Sequence, residues 1–203
     1  MPEYFYADRL FNALERVDPE PGMLLVSAPG MYSPDFARTV VLVLEHDNDH
    51  TLGVVLNRRS DVALANVLDP AWADLAAKPQ AVHIGGPVSP ESAVGLGVTH
   101  SGVDISSSPH LNRLANRLVL LDLNATPEDL APVVEAIRIF AGYAEWAPGQ
   151  LDDEILRGDW FVTPALPTDV VASAGADLWG DVMRRQPMPL PLFATFPANL
   201  EDN

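Results

Sequence analysis

Short apolar runs separated by turn-forming residues dominate the first half of the chain. The run over 38–46 is rich in β-branched residues, the polar stretch "DNDH" follows it, and a second apolar run covers 51–57. Two apolar runs joined by four polar residues predict an antiparallel β-hairpin. Val41 and Val43 would then face the side opposite to the leucines of their strand, so burial of both faces would require a packed layer on each side. The same criteria predict further strands over 22–30, 81–84, 92–99, 117–124 and 160–165.

Helical spacing of apolar residues and helix-start signals predict the remaining elements. The strongest start is "TPED" at 126–129, with a hydroxyl cap, a proline in the first turn and acids near the positive end of the helix dipole. Apolar residues at helical spacing follow, which predicts a long helix over 127–141 that ends at Gly142. Region 102–116 is predicted to be irregular with one helical turn at its end, and the proline-rich tail from about 187 is predicted to be irregular as well. The other predicted helices cover 4–17, 60–68, 71–77, 148–157 and 176–185.

This order of elements indicates one α+β domain over 1–203. Hairpins with inserted helices lack the regular strand–helix alternation of a doubly wound sheet. A length of 203 residues with 48% apolar residues is enough to build one sizeable core. The longest apolar stretch lies around 40–44, far short of the roughly 20 residues that a transmembrane helix needs. Since no secretory signal is visible either, we expect a cytoplasmic protein without a membrane span.

Charge and cysteine content exclude several classes of function. The chain carries 28 acidic and 12 basic residues, which gives a formal net charge of −16. Proteins bind the phosphate backbone largely through Lys and Arg, so this balance argues against nucleic-acid binding. The only adjacent basic pairs are at 58–59 and 184–185. With no cysteine, disulfides, thiolate nucleophiles and cysteine-based metal sites are all excluded.

Motifs of familiar enzyme classes are absent from the sequence. The stretch "GGPVSPES" lacks the Gly-Lys-Ser/Thr of a P-loop, and no G-x-S-x-G motif occurs. The stretch "EHDNDH" at 45–50 combines carboxylates with two imidazoles, but a hairpin turn needs the same polar residues, so we expect no metal there. His83, on a short strand before two glycines, is typical of a core or edge histidine rather than a general base. We therefore expect no cofactor.

The segment "GYAEWAPGQLDDEILRGDW" concentrates glycine, aromatic and polar residues, and it permits two interpretations. In the first, it holds a helix over 148–157 whose ends are anchored by Trp146 and Trp160, because buried indoles contribute large apolar area. In the second, it forms one wall of a binding site. Gln150 and Glu154 are the residues that the two interpretations treat differently, since they lie four apart and share one face of the helix.

Four blocks of sequence follow one another in a specific order. They are "GMLLVSAPGMYSPDFARTVVLVLEH" with "GVVLNR", then "HIGGPVS", then "GYAEWAPGQLDDEI" with a later Trp, and finally "DLWGDVMRRQ". Together they resemble the blocks of the YqgE/AlgH family of bacterial proteins. One departure is Glu145, where the family pattern usually has Gly. The resemblance implies an α+β fold with a mixed, mainly antiparallel, bifurcated or partly barrel-like β-sheet surrounded by helices. Some members are labelled transcriptional regulators, but no helix-turn-helix with a basic face is visible here.

The same blocks supply a candidate binding site. If the sheet gathers them, they would form a pocket with an aromatic wall, an amide and a carboxylate, which suits a small polar ligand or a peptide segment. No nucleophile with an evident base accompanies them, so we expect a binding or regulatory module for a small polar ligand or a protein partner. The alternatives are a hydrolase-like enzyme, direct DNA binding, and an interaction protein that uses the tail over 187–203. The candidate ligand-binding residues are Asn57, Gly85, Gly86, Trp146, Gln150 and Glu154.

Overall fold

A computed structural model describes residues 16–172 and 177–195 of the chain. The helix predicted over 4–17 lies outside these residues except for its last two positions, which belong to no element. The strands are β1 (Met23–Ser27), β2 (Val40–His46), β3 (Thr51–Val55), β4 (Arg59–Ala63), β5 (Ala81–Ile84), β6 (Val88–Thr99), β7 (Leu111–Ala115), β8 (Leu118–Leu121), β9 (Val134–Trp146) and β10 (Trp160–Pro164). The helices are α1 (Pro70–Leu75), α2 (Pro127–Leu130), α3 (Gln150–Arg157), α4 (Pro167–Val170), α5 (Leu178–Arg184) and α6 (Leu190–Phe193), with 3₁₀ turns at Leu64–Asn66 and Ile105–Ser107.

The ten strands of the described residues form one sheet, whose main path has the order β10-β1-β2-β3-β9-β6-β8-β7, and neighbours along this path are antiparallel. β5 joins β9 in parallel, and β4 pairs with β5. β6 lies along one edge of β9, while β5 and β3 occupy successive parts of the other edge. The sheet therefore divides into two branches at β9. The predicted α+β fold with a mainly antiparallel, bifurcated sheet is confirmed.

The sheet curls until its two ends approach each other. Gly22, next to β1, lies so close to Leu114 and Ala115 of β7 that a Cβ atom on the glycine would overlap them. Strands from both ends of the sheet contribute side chains to one inner core, and α5 and α6 fill its open side. The tail from about 187 is therefore not irregular throughout, because Leu190 and Phe193 of α6 are buried in this core. Residues 196–203 lie outside the described part of the chain.

The outer face of each branch has its own core. On the β1–β2–β3 branch, Val41 and Val43 pack with Trp146 and with the apolar face of α3. The leucines of β2 belong to the inner core, so both faces of this strand are buried and a packed layer lies on each side. On the other branch, Ile137 and Ile139 of β9 pack with side chains of α1 and α2. No helix within the described residues is long and apolar enough to cross a membrane.

The long helix predicted over 127–141 is wrong beyond its first turn. The predicted start is present, since the Thr126 hydroxyl oxygen accepts a hydrogen bond from the Asp129 N–H and the Asp129 carboxylate accepts one from the Thr126 N–H. The helix nevertheless ends at Leu130, and β9 follows. Because β9 is paired along both edges and buried on both faces, its sequence is a nearly continuous apolar run. Such a run also places apolar residues at helical spacing, which explains the wrong prediction. Gly142, predicted to end the helix, lies inside β9 with a φ of 70°.

Other elements were predicted with mixed success. The hairpin of 38–46 with 51–57 is confirmed as β2 and β3. The helix predicted over 60–68 is wrong, because this segment forms β4 and a 3₁₀ turn. The helical turn predicted at the end of 102–116 is wrong, because this end forms β7 and the 3₁₀ turn of the segment lies earlier, at Ile105–Ser107. The strand predicted over 92–99 starts earlier, at Val88, and it pairs with β8 and β9.

Two adjacent glycines allow the backbone to cross β9 at the branch. A Cβ atom on Gly85 would overlap the carbonyl oxygen of Gly142, and one on Gly86 would overlap the backbone of Tyr143. The Gly85 N–H donates to β9, while its carbonyl oxygen accepts a 2.8 Å hydrogen bond from the N–H of Val55 in β3. Gly85 therefore links the two branches. The two glycines of the "GGP" sequence make the close backbone contact with β9 possible.

Gly85→Ala is expected to lower the free energy of unfolding by about 2–3 kcal/mol, because the added methyl group overlaps backbone atoms that cannot move independently. Gly102→Ala is the matched control, since Gly102 has a φ of 84° but, its own chain neighbours apart, no atom of the described residues lies within 4 Å of the added Cβ. The control should lose only about 1 kcal/mol from backbone strain. Urea unfolding of both variants measures the difference, and equal losses would contradict the close crossing.

Candidate functional site

Residues 28–39 connect β1 to β2 without a helix or strand, and we call them the β1–β2 loop. Its ends are tied to the sheet. The buried Thr39 donates its backbone N–H to the Ser27 hydroxyl oxygen at 2.9 Å and its own hydroxyl to the Phe36 carbonyl oxygen at 2.8 Å. At the other end, the Ala28 N–H donates to the Asp159 carbonyl oxygen at 2.8 Å. Compact connections of this length that are held by tertiary contacts are often functional.

Asn57, two residues after the end of β3, holds the second half of the loop. Its Oδ1 accepts a 3.0 Å hydrogen bond from the Val40 N–H, and its Nδ2 donates to the Arg38 carbonyl oxygen at 2.9 Å. Arg38 has a φ of 52°, which is uncommon for a residue with a side chain. The next residue, Arg58, donates from Nη2 to the Pro34 carbonyl oxygen at 2.6 Å. Asn57 and its neighbour therefore position loop backbone.

Helix α5 supports the same end of the loop. The Arg38 guanidinium lies 4.1 Å above the centre of the Trp179 ring, a distance typical of a cation–π interaction. Trp179 is buried and donates its indole N–H to the Ser27 carbonyl oxygen at 2.9 Å. Asp177, which caps α5, lies 3.9 Å from the Arg38 guanidinium. The helix thus fixes the loop through both charge and aromatic packing.

One carboxylate joins two buried tryptophans beside the loop. Glu154 Oε2 accepts hydrogen bonds from the indole N–H groups of Trp146 and Trp160, each at 2.8 Å. Its Oε1 accepts a 2.9 Å bond from Gln150 Nε2, and the Gln150 Oε1 accepts a 3.0 Å bond from the Ala147 N–H. We call Trp146, Gln150, Glu154 and Trp160 the aromatic clamp. These contacts match the interpretation in which the two tryptophans anchor α3.

Phe36 connects the β1–β2 loop to the aromatic clamp. Its ring centre lies 6.0 Å from that of Trp146 with the planes 29° apart, and 5.6 Å from that of Trp160 with the planes at 75°. The loop therefore has an anchored side, which packs on the clamp. Its other side faces solvent, where Tyr32 is 80% exposed and Pro34 and Asp35 are exposed as well.

The six predicted binding residues fall into three sets of contacts. Three of them belong to the aromatic clamp, Asn57 binds loop backbone, and Gly85 and Gly86 lie against β9 at the branch. The first two sets hold the β1–β2 loop from opposite sides, whereas the glycines hold the two branches of the sheet together. A direct role of these six residues in ligand binding remains a prediction.

Sequence reasoning missed the residues inside the loop itself. Phe36, Arg38 and Thr39 make the contacts that fix it, and Tyr32 is its exposed aromatic residue. A signal was present, because the longest of the four blocks contains the whole loop. Its Pro-Gly and Ser-Pro pairs mark turns that interrupt two strands.

The histidines considered for metal binding or catalysis have other partners. His46 Nδ1 lies 2.7 Å from the Thr51 hydroxyl oxygen, and His50 Nε2 lies 3.2 Å from Glu45 Oε2. His83 is a buried strand residue, as predicted. Over residues 16–172 and 177–195, no group of three or more His, Asp and Glu side chains is arranged to hold a metal ion.

Comparisons with known proteins identify relatives over nearly the whole chain. A family model described as AlgH-like (DUF179) matches residues 24–191, which include the β1–β2 loop and the aromatic clamp. A UPF0301 protein of Corynebacterium efficiens is 62% identical over 98% of this chain and 98% of its own length. A UPF0301 protein of Mycobacterium tuberculosis is 50% identical over 97% of this chain and 96% of its own length.

Two solved structures have a similar fold. The crystal structure of protein DIP2367 from Corynebacterium diphtheriae has a TM-score of 0.90 at 60% identity, covering 94% of this chain and 100% of that chain. The solution structure of the AlgH protein from Pseudomonas aeruginosa has a TM-score of 0.63 at 25% identity, covering 91% of this chain and 98% of that one. The curled sheet is therefore shared with a more distant relative.

Glu154→Ala is expected to lower the free energy of unfolding by about 2–4 kcal/mol, because it leaves two buried indole N–H groups without an acceptor. Asp153→Ala on the same helix is the control, since Asp153 is exposed and should change stability by no more than about 0.5 kcal/mol. Chemical unfolding followed by tryptophan fluorescence measures both. Glu154 would be an ordinary surface residue if the two variants were equally stable.

Proposed function

The chain belongs to the AlgH-like family, and on that premise we propose that it is a binding module that presents the β1–β2 loop to a protein partner. One observation carries the proposal. The loop is fixed on its inner side by the aromatic clamp and Asn57, while its outer side exposes Tyr32 to solvent at 80%. A fixed backbone with an exposed aromatic residue is the form in which many proteins present a recognition loop.

A rigid loop supports binding because it lowers the entropy that association loses. A mobile segment must be ordered when its partner binds, and this ordering weakens the affinity. Here Asn57, α5, the aromatic clamp and the backbone of Asp159 each contact the loop through separate interactions. The loop therefore loses its conformational entropy when the protein folds rather than when a partner binds. The exposed tip of the loop around Tyr32 can then bind a partner with little rearrangement.

The composition of the tip favours a protein partner. Tyr32 offers a large amphipathic ring with few rotatable bonds, and tyrosine is enriched among the residues that dominate protein interfaces. Pro34 limits the backbone freedom of the tip, while Ser33 and Asp35 provide polar groups beside the ring. An aromatic centre flanked by polar groups is typical of protein interfaces.

The basic residues do not support DNA recognition. In the first adjacent pair, Arg58 donates to loop backbone and Arg59 lies 3.9 Å from Asp61. In the second pair, Arg184 contacts two aspartates of α5 and its cap, and Arg185 is paired with Asp169 at 2.6 Å. Three of these four arginines thus lie within 4.0 Å of a carboxylate, in a chain whose net charge is −16.

We therefore expect no specific binding of duplex DNA at physiological salt, because few cations are available to replace the counterions of the phosphate backbone. A gel-shift titration at two salt concentrations tests this expectation. Sub-micromolar affinity that falls steeply with rising salt would contradict it.

Tyr32→Ala is expected to abolish partner binding while the fold is retained, because Tyr32 lies on the exposed side of the loop. Leu156→Ala is the matched control, since Leu156 is an exposed apolar residue of α3, 59% accessible, outside the loop. A photo-crosslinking residue at position 32 should capture a defined protein in the native cell, and the same residue at position 156 should not. Wild type and Leu156→Ala should then bind that purified protein equally.

A third variant separates loop rigidity from tip chemistry. Asn57→Asp removes the N–H donor to the Arg38 carbonyl oxygen, so it should weaken binding of the captured protein with Tyr32 unchanged. Near-ultraviolet circular dichroism verifies that each variant keeps its tertiary packing. Unchanged binding by Tyr32→Ala would refute the proposal.

A further inference from the structure

Arg138 is a buried cation on β9 with an unusual lack of partners. Its residue surface is 3% exposed. Nη1 donates to His83 Nε2 at 2.7 Å, and Nη2 donates to the Lys78 carbonyl oxygen in a long bond of 3.3 Å. Among the described residues, the buried Nε–H has no hydrogen-bond partner. Buried donors are nearly always paired, so an unpaired donor on a charged group points to a missing partner.

The charge of Arg138 is also uncompensated among residues 16–172 and 177–195. No described carboxylate lies within 4.0 Å of its guanidinium. His83 accepts from Arg138 through Nε2, and its Nδ1–H donates to the Ala81 carbonyl oxygen at 3.2 Å. Burial, together with the charge of Arg138, lowers the pKa of His83 to about 4, so the imidazole is neutral at physiological pH. The pair therefore carries one net positive charge.

Two hydrogen bonds to neutral groups do not explain why this position holds an arginine. Moving a guanidinium out of water is costly unless the charge is paired and its donors are satisfied. Burial accordingly lowers the pKa of Arg138, to about 10. Elsewhere the chain does compensate a buried ionic group, since Asp169, 3% exposed, forms two 2.6 Å hydrogen bonds with Arg185. The arrangement at Arg138 lacks the anionic half.

We propose that Arg138 and His83 form a binding site for a small oxyanion, a carboxylate or a phosphate group. The unpaired Nε–H shares one edge of the guanidinium with Nη2, and carboxylates and phosphates accept two parallel hydrogen bonds from such an edge. His83 holds the guanidinium from its other side through Nη1. The anion thus supplies both the missing acceptor and the missing charge.

The anion reaches Arg138 by taking the place of the Lys78 carbonyl oxygen. This contact is long, and it comes from the segment over 76–80, in which Lys78 and Gln80 are exposed. Lys78 brings a second cation to the same segment, and Arg59 lies opposite His83 on β4. The rest of this acidic protein repels anions, so binding must depend on the local site rather than on the overall field.

Nuclear magnetic resonance of the full ¹⁵N-labelled chain tests the site directly. Sodium phosphate and sodium acetate are titrated separately at an ionic strength held constant with sodium chloride. We expect saturable shifts of the Arg138 Nε–H resonance and of the backbone amides of 76–80 with at least one of the two oxyanions. The anion that saturates identifies a phosphate or a carboxylate site. Absence of saturation with both, or the same shifts when chloride alone is raised, would overturn the proposal.

Arg138→Lys separates the shape of the guanidinium from its charge. The variant keeps a cation but loses the two parallel donors, so the apparent affinity should fall about tenfold or more. Arg117→Lys is the matched control, because Arg117 is paired with Glu135 at 2.8 Å at a partly exposed position, and it should bind as wild type does. Unchanged affinity in Arg138→Lys would refute the role of Arg138. If this variant does not fold, the wild-type Nε–H resonance still decides the outcome.

Discussion

Strand β9 must pair along both of its edges and pack on both of its faces, and the rest of the structure depends on this constraint. β6 occupies one edge, while β5 and β3 divide the other, so the sheet has to branch there. Branching separates the outer face into two cores and leaves the inner face continuous. It also demands that the link from β5 to β6 cross β9 at backbone distance, which only glycine at 85 and 86 permits.

The β1–β2 loop follows from how one branch satisfies its buried polar groups. Trp146, at the end of β9, and Trp160, at the start of β10, bring two indole N–H groups into an apolar core, and Glu154 accepts both. The rings then form a platform for Phe36, and Asn57 saturates the backbone at the other side of the loop. The same side chains therefore pair the buried donors and order a surface loop. Their polar groups are the reason why the clamp resembled a binding site in the sequence.

The other branch handles a buried charge differently. Arg138 lies beside a neutral His83 and a distant carbonyl group, whereas Arg185 and Asp169 compensate each other fully. A buried ion pair that is complete within the chain is structural. A buried cation with an unpaired donor still needs a hydrogen-bond acceptor and a counter-charge. The two branches therefore carry the two features on which our proposals rest, the β1–β2 loop with its exposed Tyr32 and the buried cation of Arg138.

The sequence by itself determined the elements whose signals are local. The β2–β3 hairpin depends on a polar turn between apolar runs, and α3 depends on neighbours within a few residues, so both were predicted. The family resemblance supplied the branched sheet. Only the tertiary structure decided that 134–146 is a strand, because an apolar run buried on both faces fits either period until its partners are known. It alone also placed Asn57 on the β1–β2 loop and Arg138 beside His83, since these contacts join residues 17–55 positions apart and leave no periodic pattern along the chain.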